Sequence, residues 1–335
     1  MAPAMSRGCL SAVLAAPLAA PCLRAVPLLL AQGSLALRLA LGGRLLPYER
    51  GWLYTSLNDV PEPLLATLDA ALCPSLPPLP AAAAPSGRAA GRRLRYLEIG
   101  TQTYDTLSDE EPGPGISVDI VAEYLQALEA RAEPDSGKVF LTAAVVDEPA
   151  GGDIEILMTN PRYVEDTGVD FLRGGCRANT SERLRLELAA RGLAIVTPTG
   201  CLPWFTLAMH SVDKPFYETY PWLVSPPEKA SLLLQRRRVP GLTPAQLLER
   251  HGVASAELLK VDTEGSDFRI VGAFARHMAS HADFRPANIS WECKHLPFCQ
   301  FRHGLRMLRE LGYACRATSV ESCGCALDES ALDGP

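Results

Sequence analysis

Two acids stand two residues apart in the run AELLKVDTEGSDFRIVGAF, Ala256 to Phe274: Asp262 and Glu264, with Thr263 between them and Gly265 after them. Two carboxylates on one short turn can divide labour. One can take a proton as general base while the other binds an acceptor or a metal ion; nothing in the sequence requires the metal. His295 is a third candidate base. A second constellation lies upstream, in Glu98-Ile99-Gly100-Thr101 and Asp119-Ile120. Gly100 suits a tight turn where backbone approaches a cofactor. Asp119 follows Glu98 by about 20 residues, the interval at which a strand-end acid accepts hydrogen bonds from two vicinal ribose hydroxyls. Each group also has a plain structural reading. Acids at the start of a helix offset its macrodipole, and a strand-end Asp can cap the next helix.

The elements that must position these residues follow from periodicity. Glu257–Val261 is short and apolar, so it reads as a buried strand, and Phe268, Val271 and Phe274 are spaced for the apolar face of a helix. Leu94–Ile99 reads as the first core strand. A short helix must fit between Thr101 and Glu111. Gly115–Ile120 reads as the second strand, Val121–Ala130 as a helix, and Lys138–Val146 as a third strand, with Asp153–Met158 forming an edge hairpin after the PAGG turn. Further on, Ser181–Arg191 reads as a helix, and so does Thr243–His251, with Thr243 as N-cap and Pro244 in first position. Ala287–Trp291 is a strand ending at Glu292, Phe301–Leu311 a helix closed by Gly312, and Tyr313–Val320 with Cys325–Leu327 a final antiparallel pair. Strand and helix alternate, which predicts an α/β fold with a doubly wound, mainly parallel, Rossmann-like sheet. Ligands of such sheets bind beyond the carboxyl ends of the strands, where Gly100 and Asp262 both fall.

The run LLKVDTEGSDFRIVGAF resembles the signature of the FkbM-type methyltransferases, S-adenosylmethionine (SAM)-dependent enzymes that mostly methylate hydroxyl oxygens. Its Asp-x-Glu-Gly turn and the close Val271-Gly272-Ala273 carry the resemblance. YLEIGTQTYDT, GISVDIVAEYLQAL and LTAAVVDEPAGGDIEI extend it, in the family's order, over roughly residues 94–158 and 239–315. The resemblance implies a class I methyltransferase sheet that binds SAM through Glu98, Gly100, Thr101, Asp119 and Ile120, with Ala143 and Ala144 near the adenine. It implies methyl transfer to a hydroxyl of a sugar or other small molecule, served by Asp262, Glu264 and His295. Gln102 and Tyr104 stand where a full dinucleotide fingerprint has further glycines. Two other readings stay open. A nicotinamide-dependent oxidoreductase shares the sheet and the ribose acid, but the chain lacks the third glycine and a Tyr-x-x-x-Lys pair. A non-catalytic glycan- or protein-binding module with a decayed pocket would account for Gln102 and Tyr104.

Composition sets the outer bounds. The chain has 335 residues, 47% of them hydrophobic, and a net charge of -6, and its longest basic run is Arg236-Arg237-Arg238. Phosphate binding needs a basic face, so nucleic acid is not an expected partner. A P-loop and a GxSxG elbow are both lacking. Ten cysteines are too few for a disulfide scaffold, with room for a few bridges if the protein is secreted. Cys293, His295, Cys299, His303, Cys323 and Cys325 do not match a paired zinc frame and read as scattered core thiols, and His277 and His281 as solvated groups near a helix end. Residues 1–46 read as a targeting segment, because Arg7, Arg24, Arg38 and Arg44 occur there without acids. The address is an organelle (plastid or mitochondrion) or the secretory pathway. Arg24, Arg38 and three prolines leave no stretch of about 20 apolar residues, so no stable membrane span is expected. Residues 47–91 read as a Pro/Ala-rich linker with a short helix, Pro63–Leu72. Residues 92–330 form the methyltransferase domain, with an aromatic-rich insertion at 159–238 that holds Trp204, Phe205, Phe216, Tyr217, Tyr220 and Trp222. That insertion reads as a lid or acceptor pocket, or as a subdomain covering an apolar face.

Overall fold

A computed structural model of the chain describes residues 47–73, 79–80, 91–101, 106–164, 181–198, 200–203, 206 and 221–328. The targeting segment read over 1–46 lies outside the described residues, as do Gln102, Tyr104, Trp204, Phe205, Phe216, Tyr217 and Tyr220. In chain order the described strands are β1 (Arg92–Ile99), β2 (Gly115–Asp119), β3 (Val139–Thr142), β4 (Ala144–Val145), β5 (Asp153–Thr159), β6 (Ala194–Ile195), β7 (Val224–Ser225), β8 (Leu234–Leu242), β9 (Val253–Val261), β10 (Asn288–Glu292), β11 (Tyr313–Ala317) and β12 (Ser322–Leu327). The helices are α1 (Pro47–Ser56), α2 (Glu62–Leu72), α3 (Leu107–Glu110), α4 (Ala122–Glu129), α5 (Ser181–Ala190), α6 (Pro244–Arg250), α7 (Asp267–Ser280) and α8 (Phe298–Glu310).

Seven strands make one sheet in the order β11-β12-β10-β9-β1-β2-β3. All its pairings are parallel except those of β12, which runs antiparallel to both neighbours. The sheet is thus mainly parallel and Rossmann-like, as the alternation of elements predicts. From β1 the chain steps outward through β2 to β3. It later returns to the other side of β1 as β9 and steps outward again to β10. The order therefore reverses between β1 and β9, which opens a crevice at their carboxyl ends.

The central strands are apolar because both faces are covered. Leu97, Ile116 and Leu259 are fully buried, and Trp291 nearly so. On α7 the positions Ile270, Val271, Phe274 and Met278 recur at helical spacing and face this core. Thr243 and Gln246 form a reciprocal capping box at the start of α6, with Pro244 in first position.

Several expectations are corrected. The single third strand read over Lys138–Val146 is two strands. Val139–Thr142 pairs with β2 in the main sheet, then the Ala143 N–H turns to the Asp119 carbonyl. Ala144–Val145 pairs with β8 in a separate sheet of order β4-β8-β5. The Asp153–Met158 segment therefore does not close a local hairpin: it runs antiparallel to β8, some 80 residues onward. Residues 47–72, read as a linker with one short helix, form two helices whose Leu53, Tyr54, Leu57 and Leu65 belong to the main core. Tyr54 stacks on Phe301 at 4.0 Å between ring centroids. Arg302, 3% exposed at its side chain, pairs with Asp69 at 2.9 Å and Glu62 at 2.8 Å. The cysteines read as scattered thiols, Cys293, Cys299, Cys323 and Cys325, are all bridged, in disulfides that include Cys73–Cys299, Cys293–Cys323 and Cys315–Cys325. His277 is half-buried and stacked on His281 at 4.3 Å, not solvated.

Within residues 159–238, a second apolar cluster gathers Val164, Leu184, Leu188, Leu202 and Leu233, with Tyr124 of α4 packed against it. Trp222 is 57% exposed. No described helix is long and apolar enough to cross a membrane.

Candidate functional site

The crevice at the β1/β9 switch is lined by Gly100, Asp119, Ile120, Tyr124, Asp262 and Ser266, with Ile99, Ala143, Ala144, Val145 and Ile270 as its apolar wall. Its empty space is about 570 Å³, part of it open to solvent. Gly100 has φ +83, and a Cβ there would overlap the Asp262 carbonyl oxygen at 1.7 Å. No other residue fits, so the β1 and β9 loops are in backbone contact across the switch point. Asp119 ends β2 with its Oδ1 accepting from the Val121 N–H at 2.7 Å. Burial pushes the Asp119 carboxyl well above its ordinary pKa. The Val121 N–H works against that shift, and the Glu98 charge adds to it.

Of the residues expected to hold a cofactor, Gly100, Asp119 and Ile120 line this crevice, whereas Glu98 and Thr101 do not. Both are fully buried beneath the turn. Glu98 accepts from the Thr106 hydroxyl at 2.8 Å, the Thr101 hydroxyl at 3.1 Å and the Leu107 N–H at 3.2 Å. Its Oε1 also pairs with Lys260 at 3.2 Å. Glu98 thus organises the loop after β1 from below, and Thr101 is one of the groups it holds.

The acids of the β9 turn are separated by role. Asp267, the first residue of α7, accepts from the Thr263 N–H and the Gly265 N–H, both at 2.9 Å. It is the cap of this strand–helix turn, so Asp262 and Glu264 are not occupied in capping. Asp262 opens into the crevice. Burial, then the charge of Glu264, lifts Asp262 to about 6, with Lys260 and Lys294 opposing. Burial and the charge of Asp262 lift Asp267 to about 7 against its backbone donors. Glu264 lies in the left-handed region at φ +54, followed by Gly265 at φ +118. That backbone carries the Glu264 carboxylate to His295, with Oε2 3.2 Å from Nε2.

His295 reaches the turn from the far end of β10. Glu292 ends that strand, and Cys293 is bridged to Cys323. The N–H groups of Cys293 and Lys294 both donate to the Glu321 carbonyl. Helix α1 grips the next two residues, with the Arg50 guanidinium on the His295 carbonyl at 3.0 Å and the Tyr54 hydroxyl on the Leu296 carbonyl at 2.7 Å. Glu292 is 6% exposed, and its Oε1 pairs with Lys294 Nζ at 2.6 Å. Burial drives Glu292 well above the carboxylate range, and the charges of Glu264, Asp262 and Asp267 drive it further. Burial works against the Lys294 ammonium, yet the charge and hydrogen bond of Glu292 hold its pKa above the lysine range.

Of the three residues expected to be catalytic, Asp262 lines the crevice, whereas Glu264 and His295, 3.2 Å apart, meet outside its lining. Sequence reasoning missed Asp267, Glu292, Lys294 and Tyr124 as neighbours of the site. Glu292 carried a signal, an acid closing the strand next to β9. Comparison of the chain with protein-family models, with curated proteins and with solved structures finds no match in any of the three.

Proposed function

We propose that the protein is a SAM-dependent methyltransferase of the class I type, akin to the FkbM-type enzymes, that methylates a hydroxyl group of a sugar or other small molecule. The observation that carries this reading is the convergence of Gly100, Asp119 and Asp262 on one crevice at the switch point. The donor set suits a nucleoside cofactor. The apolar wall from Ile99 to Ile270 matches the face of a base. A buried carboxylate at the end of β2 gains its charged form by accepting hydrogen bonds from a diol. Gly100 leaves the backbone bare where a ligand must come close. When bound, SAM supplies an electrophilic methyl group on a sulfonium.

The chain's own residues then have three tasks. The apolar wall and the insertion-facing Tyr124 keep water from the reacting atoms. Asp262, open to the crevice, takes the proton of the acceptor hydroxyl on its carboxylate. Glu264 and His295, held together at 3.2 Å beside it, orient the acceptor.

Titration calorimetry with SAM tests the cofactor half. Asp119→Ala should weaken binding by about 1–3 kcal/mol, the loss of charge-assisted hydrogen bonds, and an unchanged affinity would remove Asp119 from the site. Methyl transfer to a panel of hydroxylated sugars and small molecules tests the other half. Asp262→Asn should fold, bind SAM and turn over about 10²–10⁴-fold more slowly. Normal turnover per folded molecule would return Asp262 to a structural role.

A further inference from the structure

Glu264, Glu292 and His295 come from the β9 turn, the end of β10 and the segment beyond it, and their candidate ligand atoms lie within 4.8 Å of one another. His295 Nε2 is 3.2 Å from Glu264 Oε2 and 3.6 Å from Glu292 Oε1. Three atoms on one face of an octahedral ion with bonds of about 2.1 Å are roughly 3 Å apart. The three side chains are thus close to the spacing that a single ion would impose.

A second observation, independent of the clustering, points to a ligand. Glu292 is only 6% exposed, and its Oε2 is buried without a hydrogen-bond partner. His295 Nε2 is likewise buried and makes no hydrogen bond, since its contacts with the two glutamates lack the geometry for one. Buried polar atoms of native proteins are nearly always met by a protein group, a water or an ion. Lys294 answers only Oε1 of Glu292, at 2.6 Å, and is 3.6 Å from Glu321. A carboxylate oxygen and an imidazole nitrogen are therefore both open to a Lewis acid.

We propose that Glu264, Glu292 and His295 bind a divalent cation. Two carboxylates with one imidazole, and no thiolate, suit an ion of the hard-to-borderline class such as Mn²⁺. The cation would sit beside Asp262, at the acceptor end of the crevice. Binding of the ion does not rest on methyl transfer. Its role does: there it would hold the acceptor oxygen and make its proton easier to remove.

The test uses the full chain stripped with a chelator and titrated with MnCl₂, followed by calorimetry and by loss of the free Mn²⁺ signal in electron paramagnetic resonance. One Mn²⁺ should bind per chain and raise the melting temperature. Glu292→Gln and His295→Ala should each weaken uptake by at least about tenfold. Glu310→Gln, an exposed acid on α8 away from the cluster, should leave it unchanged. Absence of Mn²⁺ uptake at millimolar concentration by the unaltered protein overturns the proposal. So does equal uptake by the double variant Glu264→Gln/Glu292→Gln. Uptake of Mn²⁺ by a protein that fails to bind SAM leaves the ion site standing and removes the methyl-transfer reading. Binding of SAM without Mn²⁺ does the opposite.

Discussion

Glu264 sits at φ +54 in a turn whose next residue, Gly265, is free to take positive φ. A side chain in that region costs about 1–3 kcal/mol that a glycine would not. A strained residue beside a crevice is a candidate for a residue kept for function. Glu264→Gly should therefore melt at or above the temperature of the unaltered protein while methyl transfer collapses; a clear drop in melting temperature would show that Glu264 holds the turn together. Asp267→Ala should behave in the opposite way. It leaves two part-buried N–H groups without an acceptor and should cost about 1 kcal/mol in denaturant unfolding. The motif made Asp262 and Glu264 visible in the sequence, but not which acid of the DTEGSD run does the capping. That choice depends on two successive positive-φ residues, and of these only Gly265 announces itself by type.

At the scale of elements, α7 offers a separable test in its last turn. His277 is held down to about 4, first by burial and then by the charge of His281. An unfolded histidine titrates near 6.5. Above about 6.5 both states are neutral and His277 adds no pH dependence. As the pH falls from 6.5 toward 4 the unfolded chain binds the proton first, so stability is lost across that window and levels off below it. His277→Gln should flatten this limb in unfolding curves taken at a series of pH values, and an unaltered slope would show that His277 does not titrate on unfolding. Helix α7 itself was readable, because Phe268, Val271 and Phe274 repeat at helical spacing and the helix buries that stripe. The sheet β4-β8-β5 was not. Hydrophobic alternation tells which face of a strand is buried, not which strand lies beside it. The partner of Asp153–Thr159 arrives only with Leu234–Pro240, some 75 to 87 residues onward.

For the whole molecule, the largest departure from the reading by composition is at the amino-terminal side. Proline and alanine mark 47–91 as a linker, and most of the tract that ends it lies outside the described residues. The helices before it were misjudged because their partners, Phe301 and Arg302, stand about 240 residues onward. Tyr54, Leu57 and Leu65 are buried at 5% exposure or less, worth about 1.5–3 kcal/mol each. Removing α2 would also strand Arg302 as a buried, unpaired cation, at about 3–5 kcal/mol. A chain beginning at Pro47 should accordingly melt near the full chain, and one beginning at Arg92 should lose many degrees or fail to fold. Equal melting of the two would show that the helices contribute little. Disulfides persist in oxidising compartments, and the secretory pathway, one of the addresses read for residues 1–46, is such a compartment.

The bridge Cys73–Cys299 also changes what cleavage would do. Cys73 directly follows α2, and Cys299 lies in the first turn of α8. A protease that cut once between Cys73 and Arg92 would sever the polypeptide without releasing its amino-terminal piece. The product would be a two-chain molecule joined by sulfur, with Arg50 and Tyr54 still seated on the carbonyls of His295 and Leu296. Only a reductant acting on the nicked form would free that piece and unclamp the histidine, so intact and nicked protein should be told apart by thiol treatment and not by cutting alone.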